Sequence, residues 1–375
     1  MDNYQEKKLF TPGPLGVSNE VKEAMLRDFG SRDSEFIAIV KEVREEILKI
    51  AGVSSEIYTT VLLQGSGTFA VESVFQTVQP DSNGRGLILS NGAYGNRMKK
   101  ICDVARIPAD ILEFPEDGEL QLSLLQETLR RSAYVLVAVV HCETSSGIIN
   151  PVEEIGSLVK SVLPGAMFFV DAMSSFGAIP IDFEAGHIDF LVTSANKCLQ
   201  GVPGFGVVLA KRRVLFQCRG RSKSLSMDLV DQYEGLEKNG QFRFTPPTHA
   251  LLAFQRALQE LSAEGGIRSR AERYKKNSLI VLSGMRDLGF KTLLTVEKQG
   301  AIITSFLYPT HPNFNFDEFY RRLSNLGQLI YPGKVTKTDS FRIGNIGHLF
   351  PPDMRYLIKC IERTLHEMCI PIPIK

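Results

Sequence analysis

Short apolar runs alternate with helical stretches from about Tyr58 to Ala210, and that alternation admits few folds. Runs such as Tyr134–Val140 and Met167–Asp171 are apolar at nearly every position. Such segments need cover on both faces, which parallel strands flanked by helices obtain. Strands are expected to end near Leu63, Ser90, Phe114, Val140, Asp171, Thr193 and Leu209. Between them, Leu124, Leu125 and Leu129, then Val152, Ile155, Leu158 and Val159, fall at helical spacing. Ahead of this unit, Phe36, Ile39, Val40, Val43 and Ile47 share one face of a helix that would pack on the sheet or on a partner subunit.

After Thr248 the pattern changes to long helices. Leu251, Leu252, Phe254, Leu258 and Leu261 lead through a break at Gly265-Gly266 into a charged helix from Ile267. Ala301–Leu307 and Ser340–Gly344 then read as strands and Met354–Met368 as an amphipathic helix. The expectation is an α/β protein of two domains. Residues 1–265 form a large domain around a mostly parallel sheet, its N-terminal segment packing on the dimer partner or the small domain, and 266–375 form a smaller α+β domain. A chain of 375 residues exceeds what one core usually serves.

Bulk chemistry narrows the partners. Lys and Arg number 43 against 42 Asp and Glu, a formal charge of +1, which gives no reason to expect nucleic acid or an anionic membrane. The longest apolar run, Tyr134–Val140, is far short of the roughly 20 residues of a membrane helix. The opening Met1-Asp-Asn-Tyr-Gln-Glu-Lys-Lys lacks the basic-then-apolar order of a secretory signal. Six scattered cysteines with no CxxC pair suggest reduced thiols in a cytoplasm, and no histidine or cysteine spacing suggests a metal.

Two strand ends carry reactive groups. Lys197 follows the apolar run Ile188–Ser194, and Asp171 closes Met167–Asp171. In open α/β sheets, ligands bind beyond the carboxyl ends of the strands. A lysine able to form a Schiff base and a buried aspartate able to pair with a pyridine nitrogen are what pyridoxal phosphate chemistry requires. A third element, Gly65-Ser-Gly-Thr68, joins a strand to a helix start. Its free N–H groups and the Ser66 and Thr68 hydroxyls suit a phosphate. The same residues through Ala70 fit a dinucleotide fingerprint, the rival reading of a NAD-dependent dehydrogenase. That fingerprint needs an acid at the end of the next strand, and Arg85–Asn91 ends without one.

The chain resembles the fold-type I pyridoxal phosphate enzymes of the class V aminotransferase group, from Phe10-Thr-Pro-Gly-Pro14 to Phe341-Arg-Ile-Gly-Asn-Ile-Gly347. Within that group it is most similar to the branch acting on 2-aminoethylphosphonate and pyruvate. The motifs are Gly30-Ser-Arg-Asp33, Leu63–Thr68, His141-Cys-Glu-Thr144, Asp171–Gly177, Ser194–Cys198, Gly201–Gly206, Phe244–His249 and Tyr331-Pro-Gly-Lys334. The resemblance implies roles. Lys197 would form the Schiff base and shuttle the proton, and Asp171 would pair with the pyridine nitrogen. Ser66, Gly67 and Thr68 would hold the phosphate, joined by Thr245 from the neighbouring subunit of a homodimer. Tyr94 would lie against the cofactor ring, and Thr144 would bond near its phenolic oxygen. Arg342 would bind the substrate anion, with Arg32 and Arg243 as further candidates.

Ser145-Ser146, Pro246 and His348 depart from residues usual in that branch. They leave open another class V aminotransferase, such as an alanine:glyoxylate or serine:pyruvate enzyme. A cysteine desulfurase fits less well, because Asn196 and not histidine precedes the lysine.

Overall fold

A computed structural model describes residues 6–79, 84–331 and 338–375. Along the chain run β1 (Lys8–Leu9), α1 (Asn19–Glu23), α2 (Ser34–Ala51), β2 (Tyr58–Gly65), α3 (Gly67–Thr77), β3 (Arg85–Ser90), α4 (Ala93–Val104) and β4 (Ala109–Glu113). Next come α5 (Leu122–Arg131), β5 (Tyr134–Val140), β6 (Cys142–Glu143), β7 (Ile148–Ile149), α6 (Val152–Val162), β8 (Met167–Asp171), β9 (Phe190–Ser194) and β10 (Gly204–Lys211). Helices α7 (Arg212–Gln217), α8 (Leu229–Asn239), α9 (Thr248–Glu264) and α10 (Gly266–Asp287) follow. The chain closes with β11 (Ile303–Leu307), α11 (Phe316–Asn325), β12 (Gln328–Leu329), β13 (Ser340–Gly344) and α12 (Pro351–Glu367).

The central sheet has seven strands in the order β2-β10-β9-β8-β5-β3-β4. Its β9-β8-β5-β3-β4 portion is parallel throughout, while β10 runs antiparallel to both neighbours. Register sets which residues share a level. Val140 is opposite Asp171, and Asp171 is opposite Val192, so the ends of β5, β8 and β9 lie together. The reversed strand carries the level onward, since Gly206 pairs with both Ser194 and Leu63. The turn after β2 therefore meets the sheet at the end from which the Lys197 loop departs.

Helix α2 buries the stripe Phe36, Ile39, Val40, Val43 and Ile47 and packs on α9 and β2. One continuous apolar core surrounds the sheet, with Phe168, Phe169, Phe190 and Phe205 wholly inside. A second gathers Phe290, Phe306, Phe319 and Phe341 among the C-terminal elements, and Phe10 joins it because β1 pairs with β12. Helix α10 ties loops from both regions. Arg270, fully buried and ion-paired with Glu264 at 2.8 Å, donates from Nη1 to the Cys198 carbonyl at 3.0 Å. The Tyr274 hydroxyl accepts from Gly347 N at 3.1 Å. No helix among the described residues is long and apolar enough to cross a membrane.

Helix α3 lies so close to β10 that a Cβ on Gly206 would stand 2.6 Å from the Ala70 Cβ. Gly206→Ala is expected to lower unfolding stability by about 1–3 kcal/mol through overpacking. Gly16→Ala, where a Cβ meets nothing within 4 Å, should stay within about 0.5 kcal/mol of the parent. Urea denaturation of the pair is the check.

Candidate active site

The aligned strand ends open into a cavity of about 270 Å³. Ser66, Gly67 and Thr68 from the start of α3, Tyr94 from α4, Asp171 from β8 and Lys197 from the loop after β9 all line it. At α3, Ser66 is the N-cap but accepts no backbone N–H through its side chain, so the helix start is open toward the cavity. Ser194, at the end of β9, also lines the cavity, and its buried hydroxyl has no hydrogen-bond partner among the described residues. The Asp171 carboxylate accepts from Met173 N at 2.8 Å, which fixes its direction. Lys197 Nζ donates to the carbonyls of Pro12 at 2.8 Å and Gly13 at 3.3 Å. Gly13, at φ 112°, leaves room for the lysine, whose Cδ would stand 2.5 Å from any Cβ there.

Several expected residues lie elsewhere. Thr144 is buried behind the wall, and its carbonyl, not its hydroxyl, is engaged, accepting from Arg342 Nη1 at 3.0 Å. Arg342 is 3% exposed and does not itself line the cavity; Tyr331, stacked on its guanidinium, does. Arg32, Arg243 and Thr245 line a separate cavity of about 520 Å³. Arg243 is held there by Asp231 at 3.1 Å and by the Leu225 carbonyl at 2.9 Å, away from the cavity that Lys197 lines. Of the Tyr331–Lys334 motif, only Tyr331 belongs to the described residues.

The cavity also recruits Arg97, Met173, Ser194 and Gly13, which the sequence reading did not single out as site residues. Arg97 had a signal, being one helical turn beyond Tyr94, over whose ring its guanidinium sits at 4.7 Å. The others lay inside quoted motifs with nothing to mark their direction.

The family model described as aminotransferase class V matches residues 17–319. A 2-aminoethylphosphonate–pyruvate transaminase of Syntrophobacter fumaroxidans is 50% identical over 96% of this chain and 96% of its own length. One from Phocaeicola vulgatus is 47% identical over 94% of this chain and 98% of its own. The crystal structure of ureidoglycine-glyoxylate aminotransferase from Bacillus subtilis superposes with a TM-score of 0.87 over 98% of this chain and 95% of that one, at 21% identity. The chain belongs to the class V aminotransferases. It has their fold, that of the fold-type I pyridoxal phosphate enzymes, with no place for the dehydrogenase reading.

In this class V aminotransferase the two facing charges are each pushed toward neutrality. Burial lowers the Lys197 ammonium from 10.5 to about 8, and Arg97 pushes the same way. Burial raises Asp171 to about 6, against the Met173 N–H that favours its charged form. Glu143, at the end of β6, is wholly buried and raised by burial too. Its Oε2 accepts from Tyr94 N at 3.1 Å and Gly95 N at 3.3 Å, while Oε1 accepts from Ser145 N at 3.2 Å and Ser145 Oγ at 2.6 Å. One carboxylate thus caps α4, whose own N-cap residue Gly92 has no side chain to offer, and holds the loop whose Thr144 carbonyl engages Arg342.

Because only the neutral amine is nucleophilic, competitive acetylation of Lys197 in the cofactor-free protein, followed by peptide mass spectrometry, should rise with pH through a midpoint near 8 and then level off. A lysine at 10.5 would still be climbing there. Glu143→Ala, which orphans three backbone N–H groups, should cost about 3 kcal/mol in chemical denaturation.

Proposed function

We propose that this aminotransferase moves the amino group of 2-aminoethylphosphonate to pyruvate, releasing phosphonoacetaldehyde and L-alanine, with pyridoxal phosphate as cofactor. The observation that carries the reading is 50% identity across 96% of the chain to a relative of that named activity. It is joined by a cavity whose residues fit the cofactor. An uncapped helix start at the cavity wall suits a phosphate. A buried carboxyl suits a pyridine nitrogen, and an amine biased to its neutral form suits an aldehyde.

When bound, pyridoxal phosphate supplies an electrophilic aldehyde carbon and a ring that draws electron density from the carbon bearing the amine. The N–H groups at Gly67 and Thr68, with the Ser66 and Thr68 hydroxyls, would hold its phosphate. Asp171 would keep the ring nitrogen protonated, and Tyr94 would border the ring. The Lys197 amine would hold the cofactor's aldehyde and, when free, would take and return the proton at the substrate carbon. Arg342, buried behind the Tyr331 ring, supplies the positive charge for the anionic end of each substrate in turn, phosphonate and then carboxylate.

The functional unit in this reading is a homodimer. Arg32 and Thr245, gathered in their own cavity, serve the partner's site, with Thr245 reaching the phosphate. Six free thiols fit a reducing cytoplasm as the place of work.

The test is the visible spectrum of the protein loaded with pyridoxal phosphate. 2-Aminoethylphosphonate should bleach the lysine-bound band and pyruvate should restore it, whereas glycine or serine should leave it. A response to serine in place of the phosphonate would favour the serine:pyruvate reading. Lys197→Ala should reduce turnover by about 10⁴-fold, the upper range for losing a positioned proton carrier.

A further inference from the structure

Tyr331 and Arg342 face each other across an isolated antiparallel bridge. Tyr331 N donates to Arg342 O at 3.0 Å and Arg342 N to Tyr331 O at 3.3 Å. Directly opposed residues of this kind project their side chains to the same face. Here the Arg342 Cζ stands 4.6 Å from the centre of the Tyr331 ring. On its other edge Arg342 is paired with Ser305 of β11, whose Oγ donates to Ser145 O at 3.3 Å. The Nη1 bond to Thr144 O removes what rotation remains. The arginine is therefore clamped by backbone on both sides and by a ring on its face. That ring, not the guanidinium, forms the cavity surface at this end.

We infer that Tyr331 is a specificity-determining residue of the proposed transamination, a reading on which this inference rests. Its ring closes the substrate space at the anion end and thereby sets how many carbons fit between amine and anion. A guanidinium over the far face of an aromatic ring lends its charge to this end of the cavity while the ring fills the volume. A donor one methylene longer drives its anion into the ring. Such a methylene is worth about tenfold or more in a fitted pocket.

The experiment uses the protein loaded with pyridoxal phosphate, as wild type, Tyr331→Phe, Tyr331→Ala and Tyr331→Leu. Two readouts are taken: kcat/KM for 2-aminoethylphosphonate against 3-aminopropylphosphonate, and calorimetric dissociation constants for ethylphosphonate against propylphosphonate, which lack the amine. Wild type should favour the shorter compound by about tenfold in both. Tyr331→Phe should keep that ratio, and Tyr331→Ala should bring it close to one. Tyr331→Leu, which fills part of the volume without a flat face, should lose most of it and serves if the alanine variant does not fold. Retention of the ratio without the ring, or its loss in Tyr331→Phe, overturns the inference. A wild type that binds the alkylphosphonates with the expected preference but does not transaminate 2-aminoethylphosphonate overturns the functional reading and leaves the wall standing.

Discussion

Three parallel strands that stop at one level place an acid and an amine in the same poorly hydrated space, and the remainder of the site is arranged around that fact. The β5-β8-β9 ladder is continuous, so Asp171 cannot shift along its strand without breaking register with Val140 and Val192 at once. Lys197 follows after Ser194 ends the neighbouring strand, and its amine finds carbonyls of the N-terminal loop instead of water. Desolvation penalises both charged forms, which is why the amine and the carboxyl move toward each other in acidity. The antiparallel β10 extends the same level to β2, bringing an unfilled helix start to the cavity.

A second carboxylate organises the anion side without entering the cavity. Glu143 accepts from the first turn of α4 and from the loop after β6 together. Tyr94 and Arg97 ride on that helix, and Thr144 and Arg342 are joined through that loop. One buried group thus relates the Tyr94 side of the cavity to the arginine behind its Tyr331 wall. Its burial is tolerable because its oxygens accept four hydrogen bonds.

Much of this was legible in the sequence, and what was not has physical reasons. The strand ends at Ser90, Val140 and Asp171 fell where the apolar runs stopped, because a strand covered on both faces advertises its length in hydrophobicity alone. The reversal of β10 left no mark, since an apolar run reads the same in either direction. Lys197, Asp171 and the Ser66–Thr68 turn could be picked out because each combines a reactive group with a strand end or helix start. Arg243 could not be placed, as its alliance with Asp231 on α8 and with the Leu225 carbonyl ahead of that helix is a tertiary contact that no periodicity encodes. For Thr144 the motif located the residue but not which of its two oxygens would be engaged.

Helix α10 holds the Cys198 carbonyl through Arg270 and the Gly347 amide through Tyr274. The first lies one residue beyond Lys197 and the second five residues beyond Arg342, so the segments carrying these two residues hang from a common mount. Any rigid displacement of that helix carries the Lys197 loop and the turn after β13 together. The span between them is conserved while their position relative to the α3 cradle changes.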